Sequence, residues 1–82
     1  FNLGFDSFCE NYSFENDFTH FSADVSHYNG KDSIMLVVMN DKNNYVVTVD
    51  GEKAVFNERS KGTFEIKLPS DKKRVKIEIQ LV

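Results

Sequence analysis

The chain has 82 residues, enough for one domain around one core and too few for an active-site cleft between two domains. Apolar residues make up 40% and charged residues 28% of the sequence, which excludes an intrinsically disordered chain. The net charge is −3, and the single cysteine, Cys9, excludes an internal disulfide bond. We therefore expect one globular domain, residues 1–82, that is stabilised by its hydrophobic core.

The charge is distributed unevenly along the chain. Residues 1–41 contain seven acidic side chains and one lysine, a sum of −6, whereas residues 42–82 contain six acidic and nine basic side chains, a sum of +3. One interpretation is that strands from the two halves lie side by side with complementary charges. The other is a basic face for an anionic partner.

The first segment fits either a helix or a strand. Phe5, Phe8, Cys9 and Tyr12 follow the spacing of one helical face. The Asn, Gly, Asp and Ser residues between them are poor in helix interiors, and aromatic side chains also suit a half-buried strand. We favour a strand or an irregular lead-in over a helix.

Two strands are predicted next. Residues 18–28 alternate, which places Phe21, Ala23 and Val25 on one face of a strand whose other face is polar. The run Ile34–Met39 is apolar at every position, which predicts an interior strand that is either covered on both faces or placed centrally in the core. It is also the longest apolar run and is far too short to cross a bilayer, so we expect no membrane span.

The clearest local signal is a β-hairpin over Tyr45–Phe56. Its strand residues favour extended backbone, and Asp50-Gly51 supplies the two residues that tolerate positive φ in a type I′ turn. The polar stretches Asn40–Asn44 and Asn57–Gly62 are predicted to be connections on either side of it.

Two strands with regular alternation complete the chain. The first runs from Thr63 to Leu68 and ends at Pro69, and the second runs from Arg74 to Val82. Their predicted inward residues are Phe64, Ile66, Leu68, Val75, Ile77, Ile79 and Leu81. We predict an all-β fold, an antiparallel β-sandwich of six to seven strands, immunoglobulin-like or jelly-roll-like. The alternative is an α+β fold with an N-terminal helix on a four- or five-stranded antiparallel sheet.

No catalytic constellation is evident. A nucleophile with an imidazole base would have to use Cys9 with His20 or His27, and nothing in their spacing predicts contact. The two histidines are seven residues apart, so on a regular strand they point to opposite faces, which argues against a shared metal site. We expect a protein that is not an enzyme and that holds no metal or cofactor.

Two sets of residues are candidates for binding. The amphipathic aromatic residues Tyr12, Tyr28 and Tyr45 are suited to stacking on a sugar ring. The second set is a basic patch for phosphate or sulfated sugars, formed by Lys72, Lys73, Arg74 and Lys76. Arg59 and Lys61 would extend this patch if they lie nearby. A solvated edge strand is the competing explanation for this patch. No aromatic residues interleave with it, so we expect no nucleic-acid partner.

The C-terminal half, about residues 44–82, resembles the closing strands of β-sandwich accessory modules found in bacterial cell-envelope proteins and glycoside hydrolases. The motifs that carry the resemblance are Tyr45-x-Val-x-Val-Asp-Gly, Phe64-x-Ile-x-Leu-Pro69 and Val75-x-Ile-x-Ile79. It implies a non-catalytic role, such as packing against a catalytic domain, mediating assembly or contacting a polysaccharide.

These features lead to two functional hypotheses. The first is a non-catalytic accessory or interaction module of a larger extracellular or envelope protein, and the initial Phe in place of Met favours it. Its partners would be a neighbouring domain, another protein or a polysaccharide. The second is a free-standing small inhibitor or adaptor that acts through protein–protein contact.

Overall fold

The computed structural model describes residues 1, 7–27, 33–69 and 71–82, and every structural statement below concerns these residues. They form eight β-strands: β1 (Ser7–Glu15), β2 (His20–His27), β3 (Ser33–Val38), β4 (Tyr45–Val49), β5 (Glu52–Lys53), β6 (Phe56–Ser60), β7 (Thr63–Leu68) and β8 (Arg74–Leu81). No described residue is helical, so the first segment is a strand where it is described. Tyr28 and the turn signal Asn29-Gly30 lie outside the described residues.

The strands form two antiparallel sheets. One sheet has five strands in the order β1-β2-β8-β4-β5, and the other has three strands in the order β3-β7-β6. The predicted antiparallel β-sandwich is confirmed, with eight strands in place of six to seven, and the α+β alternative is not observed. The last strand, β8, pairs with β2 and β4 and so lies in the same sheet as the first two strands. In an immunoglobulin domain the last strand lies in the sheet opposite to the first two, so the strand order differs.

The core lies between the sheets and follows the predicted alternation. The buried residues alternate along the middle of β2, β3, β7 and β8, and Val47 of β4 joins them. Burying a large aliphatic or aromatic side chain contributes about 1.5–3 kcal/mol, so these positions dominate the stability of the fold. The fully buried residues with the largest side chains are Phe21, Phe64, Met35, Ile66, Leu68, Ile77 and Ile79. Leu81, which was predicted to point inward, is half exposed because it lies at the end of β8.

The hairpin turn forms as predicted, although its second arm is short. Asp50 and Gly51 have φ values of 51° and 83°, as a type I′ turn requires. β5 pairs with β4 over two residues only. The chain then crosses to the other sheet and forms β6, so the prediction that residues 57–62 are a connection is wrong. β6 has a partner in β7 even though its side chains are exposed on both faces.

The lateral positions of two strands differ from expectation. The apolar run was predicted to be an interior strand, but within the described chain β3 is the outermost strand of its sheet, and Ile34 and Val38 are exposed by 57% and 55%. In contrast β8, whose charged residues suggested a solvated edge, is the central strand of the five-stranded sheet. Its polar side chains lie on the outer face of the sheet and not at its edge.

The two ends of the sandwich differ. We call one the loop end; it carries the connections 16–19, 39–44 and 61–62 between strands. We call the other the turn end; it carries the Asp50–Gly51 turn and the connection between β7 and β8. No helix with the length and apolar character needed to cross a bilayer occurs in the described ranges.

Candidate functional site

A cleft of about 730 Å³ lies at the loop end. Its lining comes from the three connections 16–19, 39–44 and 61–62, from the strand residues next to them and from Phe1. This volume lies within the range of ligand-binding pockets, which is roughly 300–1,000 Å³. Rings and charged side chains both line the cleft, so it combines apolar contact with polar groups for orienting a ligand.

One wall of the cleft is a left-handed turn between β1 and β2. Asn16, Asp17 and Phe18 have φ values of 53°, 57° and 59°, three consecutive residues in a region that L-residues seldom occupy. The left-handed conformation costs roughly 1–2 kcal/mol per residue other than glycine, and least for Asn and Asp. Thr19 stabilises the turn, because its backbone N–H donates to the Glu15 carbonyl (3.2 Å) and its hydroxyl to the Asn16 carbonyl (2.6 Å). Phe18 carries the least compatible side chain in the turn.

The connection between β3 and β4 holds this turn in place. The backbone N–H of Asn40 donates to the Phe18 carbonyl at 2.8 Å, and the Asn40 side-chain amide donates to the Asp17 carbonyl at 3.3 Å. The Tyr45 hydroxyl donates to the Asn40 carbonyl at 2.6 Å and also lies 3.4 Å from the Phe18 carbonyl oxygen. The strained turn is therefore fixed from the neighbouring loop before any ligand arrives.

The third connection approaches the same loop closely. Gly62 has a φ of +85°, and its carbonyl accepts the backbone N–H of Met39 at 2.7 Å. A Cβ atom at Gly62 would lie 2.8 Å from the Met39 carbonyl oxygen, which is closer than real Cβ contacts allow. Glycine is therefore required here both for its backbone conformation and for the contact between connections.

Aromatic rings form a continuous row beside the cleft. Phe14 stacks against the buried Phe21 (4.6 Å between ring centroids) and against Phe18 (5.1 Å). Phe1 also contacts Phe21 (6.2 Å) and meets Tyr12 edge-on (4.8 Å). Phe21 is fully buried, whereas Phe18 and Tyr12 are exposed by 52% and 56%. The row thus extends from the core to two rings that are open to solvent.

The charged side chains that line the cleft balance one another. Two are acidic, Asp17 and Asp41, and two are basic, Lys42 and Lys61. The Lys61 ammonium donates to the side-chain oxygen of Asn44. Within the described chain, the carboxylates of Asp17 and Asp41 and the ammonium of Lys42 have no hydrogen bond or ion pair with protein groups, so they are available to a ligand.

The predicted tyrosines do not form one platform. Tyr12 is exposed on the outermost strand of its sheet and joins the aromatic row through Phe1. The Tyr45 ring packs edge-on against buried Phe64 (5.8 Å), and its hydroxyl is used to hold the loops, so it supports the cleft and offers no free face. Tyr28 lies outside the described residues.

The predicted basic patch is at the turn end and is largely paired with acidic groups. Arg74 donates to Glu10 (2.9 Å) and to Asp24 (3.3 Å), and these contacts raise the pKa of its guanidinium, the Glu10 hydrogen bond contributing most. Lys72 forms an ion pair with Asp50 (3.2 Å), which raises the pKa of Lys72. Lys76 lies opposite Asp24 in the sheet. Lys73 is exposed at this end.

Other members of the predicted sets lie elsewhere. Arg59 is on β6 and pairs with Glu65 at 3.8 Å, so it does not extend the patch, while Lys61 lines the cleft at the opposite end. The contacts of Arg74 with acidic residues from the N-terminal half agree with the interpretation that the charges of the two halves complement each other.

The structure does not bring Cys9 and His20 together. Cys9 lies opposite Val25, and His20 lies five residues further along β2, a separation of about 17 Å at 3.4 Å per residue. Cys9 packs against the core, where burial raises the pKa of its thiol, and His20 contacts Glu78 at 3.2 Å on the outer face. No group of three potential metal ligands occurs in the described residues.

Sequence reasoning missed Phe14, Phe18 and Asp17 as site residues. The usable signal was Asn16-Asp17, because both residue types tolerate left-handed backbone and indicate a turn. The phenylalanines gave no separate signal, since the same residue type builds the core.

Comparisons with protein families, with curated proteins and with solved structures find no match for this chain.

Proposed function

We propose that this domain is a non-catalytic binding module of a larger extracellular or envelope protein, such as a carbohydrate-active enzyme, and that it holds its ligand in the loop-end cleft. The observation that supports this function is the left-handed turn that presents Phe18 beside the cleft. Strained backbone that the surrounding structure maintains is characteristic of ligand-binding sites.

The turn itself does not call for phenylalanine at position 18, although the Phe18 ring also contacts Phe14. At the turn end, Asp50-Gly51 closes a hairpin with residues suited to positive φ. At the loop end, the equivalent position is occupied by a large ring that is half exposed, where Gly or Asn would cost less. A ligand that contacts Phe18 would explain why a costly residue occupies this position.

The alternative function is a free-standing inhibitor or adaptor that binds a protein. One observation favours it: Ile34 and Val38 are exposed on the outer face of the three-stranded sheet, and Val55 lies nearby across a groove of about 320 Å³ that includes Ile34. Exposed apolar side chains that lie close together are found at protein interfaces. On this hypothesis the ligand would contact β3 and leave the loop end unchanged.

The test is to locate binding by NMR titration of the ¹⁵N-labelled domain with neutral oligosaccharides, sulfated oligosaccharides and peptide pools. We expect localised shifts at residues 16–18 and 40–42. A ligand that shifts residues 34–36 and 55 without affecting residues 16–18 and 40–42 would favour the adaptor function. A ligand that shifts only residues 72–76 would show that the anion patch is the binding site and would refute our proposal.

A further inference from the structure

We infer that the loop-end cleft takes a neutral saccharide chain, with the Phe18 ring stacking on a sugar face and Asp17, Asp41 and Lys42 binding sugar hydroxyls. This inference rests on the proposed function and identifies the class of ligand. Three features of the cleft support it: its charge balance, its exposed aromatic rings and the hydrogen bonds that already engage several of its backbone groups.

The charge balance favours a neutral ligand. Two carboxylates and two ammonium groups line the cleft, so their formal charges sum to zero. For a sulfated or phosphorylated chain, repulsion by Asp17 and Asp41 would offset attraction by Lys42 and Lys61, so an anionic ligand gains no net electrostatic advantage in this cleft. Hydroxyl groups both donate and accept, so they can bind carboxylates and an ammonium group in the same site.

The exposed rings favour a ligand with apolar faces. Phe18 has no polar tip, so the half of its surface that is exposed can be covered favourably only by apolar groups. A pyranose ring presents C–H groups on its faces and hydroxyls at its edge. This geometry places the faces on aromatic rings and the edge on the polar groups at the rim of the cleft.

The backbone of the cleft disfavours a peptide. An extended peptide is recognised mainly through backbone hydrogen bonds to a free strand edge. Here the carbonyls of Asp17, Phe18 and Asn40 already accept hydrogen bonds from Asn40 and Tyr45, and the backbone N–H of Met39 is bonded to Gly62. The side chains of Asp17, Asp41 and Lys42 remain available, and their several lone pairs or protons suit hydroxyls.

The test uses five neutral hexasaccharides: cellohexaose, xylohexaose, laminarihexaose, maltohexaose and fully N-acetylated chitohexaose. Each is titrated into the ¹⁵N-labelled domain at low and at high salt, next to a heparin hexasaccharide. We expect at least one neutral chain to shift residues 16–18 and 40–42, with an affinity that salt does not change, because no ion pair with the ligand forms. Heparin should leave the cleft unperturbed.

Three variants identify the contacts. Phe18→Asn keeps a residue that tolerates the left-handed backbone but removes the ring, and should weaken binding about tenfold, the factor that corresponds to 1.4 kcal/mol. Phe18→Tyr keeps the ring and should retain binding. Val46→Ala, on an exposed side chain of β4 that does not line the cleft, is the control and should bind like the unmodified protein.

Each outcome has one meaning. Neutral-chain shifts at the cleft that Phe18→Asn weakens or abolishes support the inference. Shifts at the cleft with heparin or a peptide but with no neutral chain overturn it and leave the proposed function standing. A cleft that no neutral chain perturbs also overturns it. A neutral chain that binds elsewhere on the domain overturns both.

Discussion

The two ends of the sandwich use residues with positive φ in different ways. At the turn end, Asp50 and Gly51 form a two-residue turn, and the Asp50 carboxylate is fully engaged: it accepts the backbone N–H of Lys76 at 2.8 Å and pairs with Lys72 at 3.2 Å. At the loop end, three residues other than glycine adopt left-handed backbone, and the Asp17 carboxylate has no partner among the described residues.

The difference separates residues that maintain the fold from residues that are available for binding. At the turn end the Asp50 carboxylate has an intramolecular role, and the turn residues suit their conformation. At the loop end the backbone is fixed by hydrogen bonds from Asn40 and Tyr45, whereas the side chains of Asp17 and Phe18 remain exposed. The following substitutions test this separation.

The largest effect is expected from Gly62→Ala. The added Cβ would lie 2.8 Å from the Met39 carbonyl oxygen, so steric overlap adds to the cost of a left-handed alanine. We expect the free energy of unfolding in urea to fall by about 3 kcal/mol. The left-handed backbone accounts for about 1–2 kcal/mol of this loss, and steric overlap accounts for the rest.

Gly51→Ala is the matched control for this substitution. Its φ of +83° is nearly the same, but within the described part of the chain no atom beyond the neighbouring residues lies within 4 Å of the added Cβ. We expect a loss of about 1–2 kcal/mol from backbone conformation alone. Equal losses in the two variants would show that the connections at the loop end are not closely packed against each other.

A smaller effect is expected from Tyr45→Phe, which removes the hydroxyl that donates to the Asn40 carbonyl. We expect a loss of about 1 kcal/mol, the net value of one hydrogen bond, together with faster hydrogen exchange at the Asn40 amide. Tyr12→Phe is the control, because the Tyr12 hydroxyl has no hydrogen bond in the described part of the chain. Equal free energies of unfolding for the two variants would show that the Tyr45 hydroxyl does not hold the loops.

Asp50→Asn should change the pH dependence of stability at the turn end. The hydrogen bond from the Lys76 backbone, followed by the pairing with Lys72, lowers the pKa of Asp50 in the folded state. The carboxylate therefore stabilises the fold above the unfolded-state pKa of about 3.9, and this contribution is lost as the pH falls through the lower folded-state pKa.

We expect Asp50→Asn to be slightly less stable than the unmodified protein at neutral pH and equally stable in strong acid. The effect should be smaller than that of Tyr45→Phe, because the amide oxygen of the substituted side chain can still accept the Lys76 N–H and solvent screens the pair. Urea unfolding measured from neutral pH to strong acid gives the difference in stability between Asp50→Asn and the unmodified protein. Asp71→Asn is the control, because the Asp71 carboxylate has no hydrogen bond in the described chain. Parallel curves for Asp50→Asn and the unmodified protein would contradict it.

The sequence predicted the core and the hairpin turn because both depend on local patterns. Alternation assigned Phe21, Ile66 and Ile77 to the interior, and Asp50-Gly51 specified its turn. Alternation did not predict where a strand lies within its sheet. The predicted interior strand, β3, is outermost, and β8, for which an edge position had been considered, is central. A strand's pattern reports whether each of its faces meets water, whereas its neighbours in the sheet depend on pairing between residues far apart in sequence.

The site was less predictable than the fold for the same reason. Besides the local hydrogen bonds of Thr19, the turn at residues 16–18 is fixed by Asn40 and Tyr45, which lie more than twenty residues away in the sequence. Tyr45 was identified as a sugar-stacking candidate from its residue type, but the pairing of β4 with β8 places its hydroxyl under the loops. Residue type alone does not separate a supporting aromatic from a contacting one.

The smallest change in stability is expected from Phe18→Asn. Removing the ring forfeits its contact with Phe14, worth about 1 kcal/mol, but asparagine tolerates the left-handed backbone and recovers about the same amount. We expect a change in the free energy of unfolding within about 0.5 kcal/mol. Phe14→Ala, on the neighbouring ring that packs against buried Phe21, should in contrast cost about 2 kcal/mol. A stability loss at Phe18 as large as that at Phe14 would mean that the exposed ring serves the fold, which would remove the main reason for assigning it to a ligand.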